Sequence, residues 1–277
     1  MADVSNRKAG GKPFSIRRQP GFTFIAIACF LMLYAPMLAL VMYSFNAGSS
    51  LAIWEGFSWR WYVSAWDNEQ VQEATIRSVI VATIASISAT MLATMAALGT
   101  TRTGSYRGIT FVYGMVNQPL MVPEIVTGVA LLTLFAIIKQ ATDYHGLAYL
   151  MLAHTAFCIP FAYLPIRARL ENMDLTLETA ASDLYATPWQ AFRRITLPLL
   201  WPGILAGLML AFVISLDDVV ITEFVKSAGQ NTLPTYMLGQ LRRVITPEIN
   251  AISTVLLAVS VAIVTVFFVL SRARQTS

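Results

Sequence analysis

Long apolar runs, separated by shorter polar segments, dominate the pattern of residues along the chain. Six runs are close to or above the roughly 20 residues that a helix needs to cross the ~30 Å hydrocarbon core of a bilayer. They cover residues 22–45, 78–100, 109–138, 147–166, 199–216 and 251–270. The runs are continuous rather than alternating, and a helix satisfies its own backbone hydrogen bonds in lipid. The pattern therefore predicts an all-α membrane protein with six transmembrane helices.

The composition supports this class. Hydrophobic residues make up 56% of the 277 residues and charged residues 12%, against roughly 25% charged residues in soluble domains. The first run is too long for the apolar part of a cleaved signal peptide, so we expect it to remain as a membrane anchor. Cys29 and Cys158 lie within predicted spans and have no metal-like spacing, which favours a role as small buried residues.

Basic residues predict the orientation of the spans. Thirteen of the 19 Lys and Arg residues fall on one side if both termini share that side, and such an excess is typical of the cytoplasmic face. The expected organisation is a cytoplasmic tail (1–21), a transmembrane domain (22–271) and a second cytoplasmic tail (272–277). Within the domain we expect outer loops at about 46–77 and 217–250 and a large cytoplasmic loop at about 167–198.

The cytoplasmic loop carries the most informative motif, "ETAASDLYATPWQAFRRITLP" at 178–198. Thr176 is placed to cap a short helix through "LETAASDLYA", and the small residues Ala180 and Ala181 let another surface approach closely. Pro188 is acceptable at the first position of a second helix. The stretch therefore predicts two short helices suited to docking into a groove on another protein.

This stretch resembles the EAA loop of ABC-transporter permeases, in which Glu-Ala-Ala is followed at fixed spacing by Gly, Ile and Leu-Pro. The matching positions are Thr179, Ala180, Ala181, Tyr185, Ile195, Leu197 and Pro198. Thr179 stands at the Glu position, with Glu178 one residue earlier, and Tyr185 stands at the Gly position. The resemblance implies a type I ABC importer permease fold whose coupling helix receives motion from an ATPase. The residues that it assigns to this coupling are Thr179, Ala180, Ala181, Asp183, Leu184, Tyr185 and Ala186.

The chain has no phosphate-binding loop of its own. The segment "AGGKPF" lacks the earlier glycine and the Ser or Thr that such a loop requires. We therefore expect a permease subunit rather than an enzyme, with no cofactor or metal bound by this chain. ATP and Mg²⁺ would be bound by partner ATPase subunits.

Carboxylates at membrane depth are the candidates for the solute pathway: Glu124 in the third run, and Asp217 and Asp218 at the end of the fifth. Charged groups at this depth normally face a cavity or a partner. A rise of 1.5 Å per residue places the two sites at comparable depths in the outer half. Neighbouring helix positions differ by about 100°, so Asp217 and Asp218 are not expected to face the pore together. Two roles remain open for this pair. At least one of the two aspartates contacts substrate, or the pair has a structural or gating role, for example by pairing with Arg242 or Arg243.

His154 is the other polar residue in the middle of a span. No acidic residue lies one helical turn from it. We therefore interpret it as a hydrogen-bonded packing residue rather than as part of a proton relay.

Four further stretches, "LYAPMLALVMYSFN", "PLMVPEIVTG", "SLDDVVITEFV" and "TLPTYMLGQLRRVITPEINA", resemble the permease subunits of putrescine and spermidine importers. The resemblance implies a bacterial inner-membrane complex with a second, homologous permease, two ATPase subunits and a periplasmic polyamine-binding protein. The residues alone indicate only a pore that suits cations. Alternatives are an importer of an amino acid, an opine or iron, or an ion channel or proton-coupled carrier, although a coupling loop argues against the last two.

Overall fold

The computed structural model describes residues 20–50, 53–104, 106–243 and 246–273, with the backbone alone at 20, 267–268 and 270–273. The expected N-terminal tail, with its five basic residues, lies almost wholly outside the described residues. Most of the expected C-terminal tail does so as well.

The described part of the chain is helical, apart from loops and one isolated β-bridge between Asn46 and Phe57. A π-helical turn, Phe192–Thr196, joins the eighth and ninth helices. The helices, in chain order, are α1 (Pro20–Tyr43), α2 (Arg60–Asp67), α3 (Glu69–Thr101), α4 (Ile109–Met121), α5 (Glu124–Thr142), α6 (Ala148–Glu171), α7 (Thr176–Asp183), α8 (Pro188–Ala191), α9 (Leu197–Asp217), α10 (Val220–Val225), α11 (Leu233–Leu241) and α12 (Pro247–Ala273).

Six helical segments in the described residues are long and apolar enough to span a membrane, which confirms the predicted number. They are α1, α3, α5, α6, the continuous stretch from α8 to α9, and α12. The third apolar run is not one helix, because it breaks between α4 and α5. Val122 is extended there, with φ −100° and ψ 137°. The following residue, Pro123, disfavours helical backbone at the position before it.

Two groups of loops lie at opposite ends of the bundle. The α7 end carries residues 102–104, 106–108 and 172–196, and the α2 end carries residues 44–50, 53–68, 143–147, 218–243 and 246. The sequence predicts that the α7 end is cytoplasmic. The expected outer loop at 217–250 contains the short helices α10 and α11 rather than one continuous helix.

The centre of the bundle is formed by α3, α6 and α9. Small residues on α3 bring the helix backbones close together, as is usual where lipid supplies no hydrophobic drive for association. The fully buried alanines on this face of α3 are Ala82, Ala85, Ala89, Ala93 and Ala97.

Gly207 on α9 marks the closest approach to α6, since a Cβ atom there would lie 2.7 Å from the carbonyl oxygen of Ala162. We expect Gly207→Ala to lower the free energy of unfolding by about 1–3 kcal/mol, because backbone has to move to accept the methyl group. Thermal unfolding of the detergent-solubilised protein measures this loss. Gly99→Ala on α3, with open space around the added atom, is the matched control. Equal melting temperatures for the two variants would contradict the packing argument.

Candidate functional site

A break in the helix after α9 places the two aspartates in different surroundings. Asp217 is the last residue of α9, and Asp218 is extended, with φ −64° and ψ 133°. The Asp218 carboxylate turns back onto the first turn of α10. Its Oδ1 accepts a hydrogen bond from the Ile221 N–H (3.2 Å), and its Oδ2 accepts bonds from the Thr222 N–H (2.8 Å) and hydroxyl group (2.7 Å). This short acidic side chain therefore supplies the acceptor that the orphan N–H groups of a helix start require.

The two aspartates face different ways because the helix ends between them, and not because of the 100° helical spacing on which the prediction from the sequence rested. The Asp218 side chain is 1% exposed, whereas Asp217 is exposed. In the part of the chain that the structure describes, neither makes an ion pair with Arg242 or Arg243, the partners considered above. Asp217 is thus the carboxylate open to the surroundings of the subunit, and Asp218 belongs to its interior.

His154 joins α6 to both sides of this break. Its Nδ1 lies 2.8 Å from Ser215 Oγ on α9, and its Nε2 lies 2.9 Å from Thr222 Oγ1 on α10. Nε2 is also 3.4 Å from Asp218 Oδ2. His154 is buried and hydrogen-bonded, as interpreted from the sequence, but its acidic neighbour was missed. Asp218 lies on another helix, so spacing within α6 could not reveal it; the one available signal was that both residues lie at membrane depth.

Glu124 begins α5, immediately after the break at Val122 and Pro123, and it is half-buried. Its carboxyl group lies against that of Asp218, close enough for a hydrogen bond between them. The contact is possible because α10 packs tightly on α5, where a Cβ atom on Gly128 would lie 2.7 Å from the Phe224 ring. The structure therefore brings together two of the three predicted acids, and it does so where two helix breaks meet.

Two carboxyl groups in contact repel each other when both are ionised, and the repulsion is strong where water is scarce. A shared proton or a bound cation removes it. Asp218 already receives three hydrogen bonds that stabilise its charged form. Glu124 has no such set of donors among the described residues. The arrangement is therefore suited to a cation that also brings N–H groups.

At the α7 end, the predicted pair of short helices is present with different details. Asp174, not Thr176, caps α7, since its Oδ1 accepts a hydrogen bond from the Thr176 N–H at 2.9 Å. This bond lowers the pKa of Asp174. Thr187 and Gln190 form a capping box at the start of α8. The helix then continues through the π-helical turn into α9, so Pro198 lies inside one continuous helical stretch.

Tyr185 occupies a backbone position that glycine usually fills. The N–H of Tyr185 bonds to the carbonyl oxygen of Ser182, and the N–H of Ala186 bonds to that of Ala181. This is the Schellman pattern for ending a helix, and its turning residue is left-handed. Tyr185 has φ 57°, which costs roughly 1–2 kcal/mol for a residue with a Cβ atom. Tyr185 therefore keeps the turn expected of glycine while leaving its ring 96% exposed.

Glu178 fixes α7 against the rest of the bundle. One of its oxygens, Oε1, lies 3.3 Å from the Arg102 guanidinium group after α3 and accepts a hydrogen bond from the Thr196 hydroxyl group at 2.9 Å. Of the predicted coupling residues, Ala181 is buried and Ala186 is half-buried. The exposed ones are Thr179, Ala180, Asp183, Leu184 and Tyr185. We call these five exposed coupling residues the α7 surface.

Comparison with known proteins gives consistent matches. The family model described as "Binding-protein-dependent transport system inner membrane component" matches residues 89–275. The putrescine transport system permease protein PotI of Escherichia coli K12 is 38% identical over 262 residues, covering 93% of each chain. The spermidine/putrescine transport system permease protein PotC of Haemophilus influenzae is 36% identical, covering 91% of this chain and 95% of its own.

Two solved structures share the fold. A chain of a bacterial ABC transporter that imports the acidic polysaccharide alginate aligns with a TM-score of 0.72 at 18% identity, covering 92% of this chain and 94% of that one. A chain of the MetNI methionine ABC transporter aligns with a TM-score of 0.60 at 17% identity, covering 74% and 98%. These likenesses confirm the predicted importer permease fold. Since one of the transporters imports an acidic polysaccharide, the fold alone does not identify a solute.

Proposed function

The chain belongs to the family of binding-protein-dependent transport system inner membrane components, and on that premise we propose that its solute is a polyamine. Membership makes it a multi-pass permease subunit of an ABC importer, a transport component rather than an enzyme. The substrate names of the relatives PotI and PotC support the proposal for the solute.

The contact between the Glu124 and Asp218 carboxyl groups is the observation that carries the proposal. A primary ammonium group brings one positive charge and three N–H donors on an apolar stem. It relieves the repulsion between the two carboxyl groups and supplies the donors that Glu124 lacks. The exposed carboxylate of Asp217, at the end of α9, would receive the next amine group along the chain of a diamine or triamine.

In the proposed complex this chain has four kinds of partner: a second, homologous permease, two ATPase subunits, a periplasmic polyamine-binding protein and membrane lipid. Permease chains of this fold occur in a complex with a solute-loaded periplasmic protein in the alginate transporter. In the proposed arrangement both termini are cytoplasmic, which puts the α7 surface on the side of the ATPase. ATP and Mg²⁺ would bind there, on the partner subunits.

Removing the charge of Glu124 tests the proposal. In cells that express the complete transporter and lack other polyamine uptake, we expect Glu124→Gln to lower uptake of labelled putrescine by about tenfold or more, the loss of one charge-assisted contact. Asp217→Asn should lower it in the same direction. The isosteric changes leave packing intact, so the amount of assembled complex in the membrane should equal that of wild type.

A panel of solutes supplies the control. Wild-type cells should take up putrescine or spermidine and should not take up neutral amino acids or ferric chelates through this transporter. Uptake of one of those solutes with no uptake of any amine would overturn the polyamine assignment. Wild-type rates in both carboxylate variants would remove Glu124 and Asp217 from the pathway.

A further inference from the structure

Each hydrogen bond of His154 can be assigned a donor and an acceptor, and none of these bonds belongs to the proposed solute pathway. The Thr222 hydroxyl group donates to Asp218 Oδ2, so its oxygen is left to accept from a proton on His154 Nε2, 2.9 Å away. Nδ1 of the neutral ring is then free to accept from the Ser215 hydroxyl group at 2.8 Å. Every donor therefore meets an acceptor along the sequence Ser215, His154, Thr222 and Asp218.

This chain of bonds crosses the helix break. Ser215 lies in the last turn of α9, Thr222 lies in α10, and His154 projects from α6 between them. The helical backbone is interrupted at Asp218, which is extended, and the Val219 carbonyl oxygen accepts the first backbone bond of α10, from the Glu223 N–H at 2.9 Å. The imidazole ring, 1% exposed, thus fixes the angle between α9 and α10 and with it the position of the Asp218 carboxylate.

We infer that His154 is a positioning residue for amine selection: acting through Thr222, it holds the Asp218 carboxylate against Glu124 at the spacing that an ammonium group requires. The inference rests on the proposed function and assigns a role in that site to two residues, His154 and Thr222, that touch no solute themselves. The ring meets the Ser215 and Thr222 hydroxyl groups within 3 Å, and the second of these hydroxyl groups in turn donates to the Asp218 carboxylate.

The mechanism has a consequence for selectivity. If the Asp218 carboxylate loses its fixed position, the ammonium group between it and Glu124 keeps only its contact with Glu124. That group is one of only two cationic groups in a diamine, whereas a triamine has a third one over which its binding is shared. The loss should therefore be larger for the diamine than for the triamine, whereas a defect in folding alone would lower both rates by the same factor.

The test compares maximal uptake rates of labelled putrescine and spermidine, at saturating solute, in cells expressing the complete transporter. Thr222→Val keeps the shape and the backbone N–H but removes the hydroxyl group, and His154→Phe removes both ring nitrogens. We expect either change to raise the spermidine-to-putrescine ratio by at least about threefold. The double variant should show no larger change than the single ones, because both break the same chain of bonds.

Two further variants separate this role from general packing. Thr222→Ser keeps the hydroxyl group and should restore the wild-type ratio. Thr155→Val removes a neighbouring hydroxyl group whose one hydrogen bond among the described residues is to the carbonyl oxygen of Met151 on its own helix, so the ratio should not move. If His154→Phe does not assemble, Thr222→Val and Thr222→Ser decide the question.

Two results would overturn the positioning role while wild-type amine uptake stands. One is a wild-type spermidine-to-putrescine ratio in Thr222→Val, and the other is an equal ratio in Thr222→Ser and Thr222→Val. Failure of the wild-type transporter to import any amine would instead overturn the proposed function, and the role of His154 with it. The wild-type measurement therefore tells the two failures apart.

Discussion

Asp218→Ala is expected to lower the free energy of unfolding by about 3 kcal/mol or more, since it leaves three buried donors without an acceptor at the start of α10. His154 loses its acidic neighbour in the same step. In a chain of this size that corresponds to a fall of roughly 6–12 °C in the thermal midpoint, so little assembled permease should remain in the membrane at growth temperature. Melting of the purified protein in detergent measures the effect.

The neighbouring residue is the control. Asp217→Ala removes an exposed carboxylate for which the described residues show no hydrogen bond, and surface changes of this kind stay within about 0.5 kcal/mol. The two adjacent variants should thus differ strongly in stability, although Asp217→Ala should still impair uptake. Equal melting temperatures would mean that the carboxylate of Asp218 does not hold the helix break together.

Hydropathy predicted the number of spans because lipid leaves a long apolar helix almost no alternative. Hydropathy underestimated the length of α3. Its first turns, "EQVQEATIR", are too polar to count as part of an apolar run, although the helix includes them. The break before Glu124 was also within reach of sequence reasoning, since Pro123 restricts Val122. The cap of α7 was predicted at the wrong residue. Aspartate and threonine are both residue types that favour helix caps, and the sequence alone does not distinguish Asp174 from Thr176, two positions later.

The acid cluster could be predicted only in part. Depth along each helix placed Glu124 near Asp217 and Asp218, and the structure brings Glu124 to Asp218. Which aspartate is buried depends on the direction in which the chain turns after α9, and that turn is set by the bonds to Ile221 and Thr222. The pairing of His154 with Asp218 joins residues 64 positions apart, a distance over which periodicity carries no information.

A continuous helical stretch connects the predicted coupling loop with the acid cluster. From Pro188 to Asp217 the chain is helical over 30 residues, or about 45 Å at 1.5 Å per residue. One end lies in the predicted coupling loop and the other at the break beside Asp218. A helix of this length transmits displacement along its axis, so movement of the α7 end by an ATPase would reach the acid cluster directly. Coupling of this kind needs both sites to bias the same two-state element.

We therefore expect Ala180→Trp to weaken docking of the ATPase subunits and, with it, the hydrolysis of ATP that transport stimulates. Ala180 lies on the exposed α7 surface, so a large side chain there would extend outward and obstruct the close approach of a partner. Association with the ATPase subunits, and hydrolysis stimulated by the solute-loaded binding protein, should fall by about tenfold or more, the effect of a steric clash in a fitted interface. Melting of the isolated permease should not change.

The control is Ala168→Trp, which places the same side chain at an exposed alanine near the end of α6, outside the α7 surface. Copurification of the ATPase and its rate of hydrolysis should there match wild type. Ala181→Trp is unsuitable, because Ala181 is buried and the change would disturb the fold as well as the interface. Undiminished ATPase association and stimulated hydrolysis in Ala180→Trp would show that the α7 surface is not where the ATPase docks. The 30-residue helix would then carry no signal to Asp218.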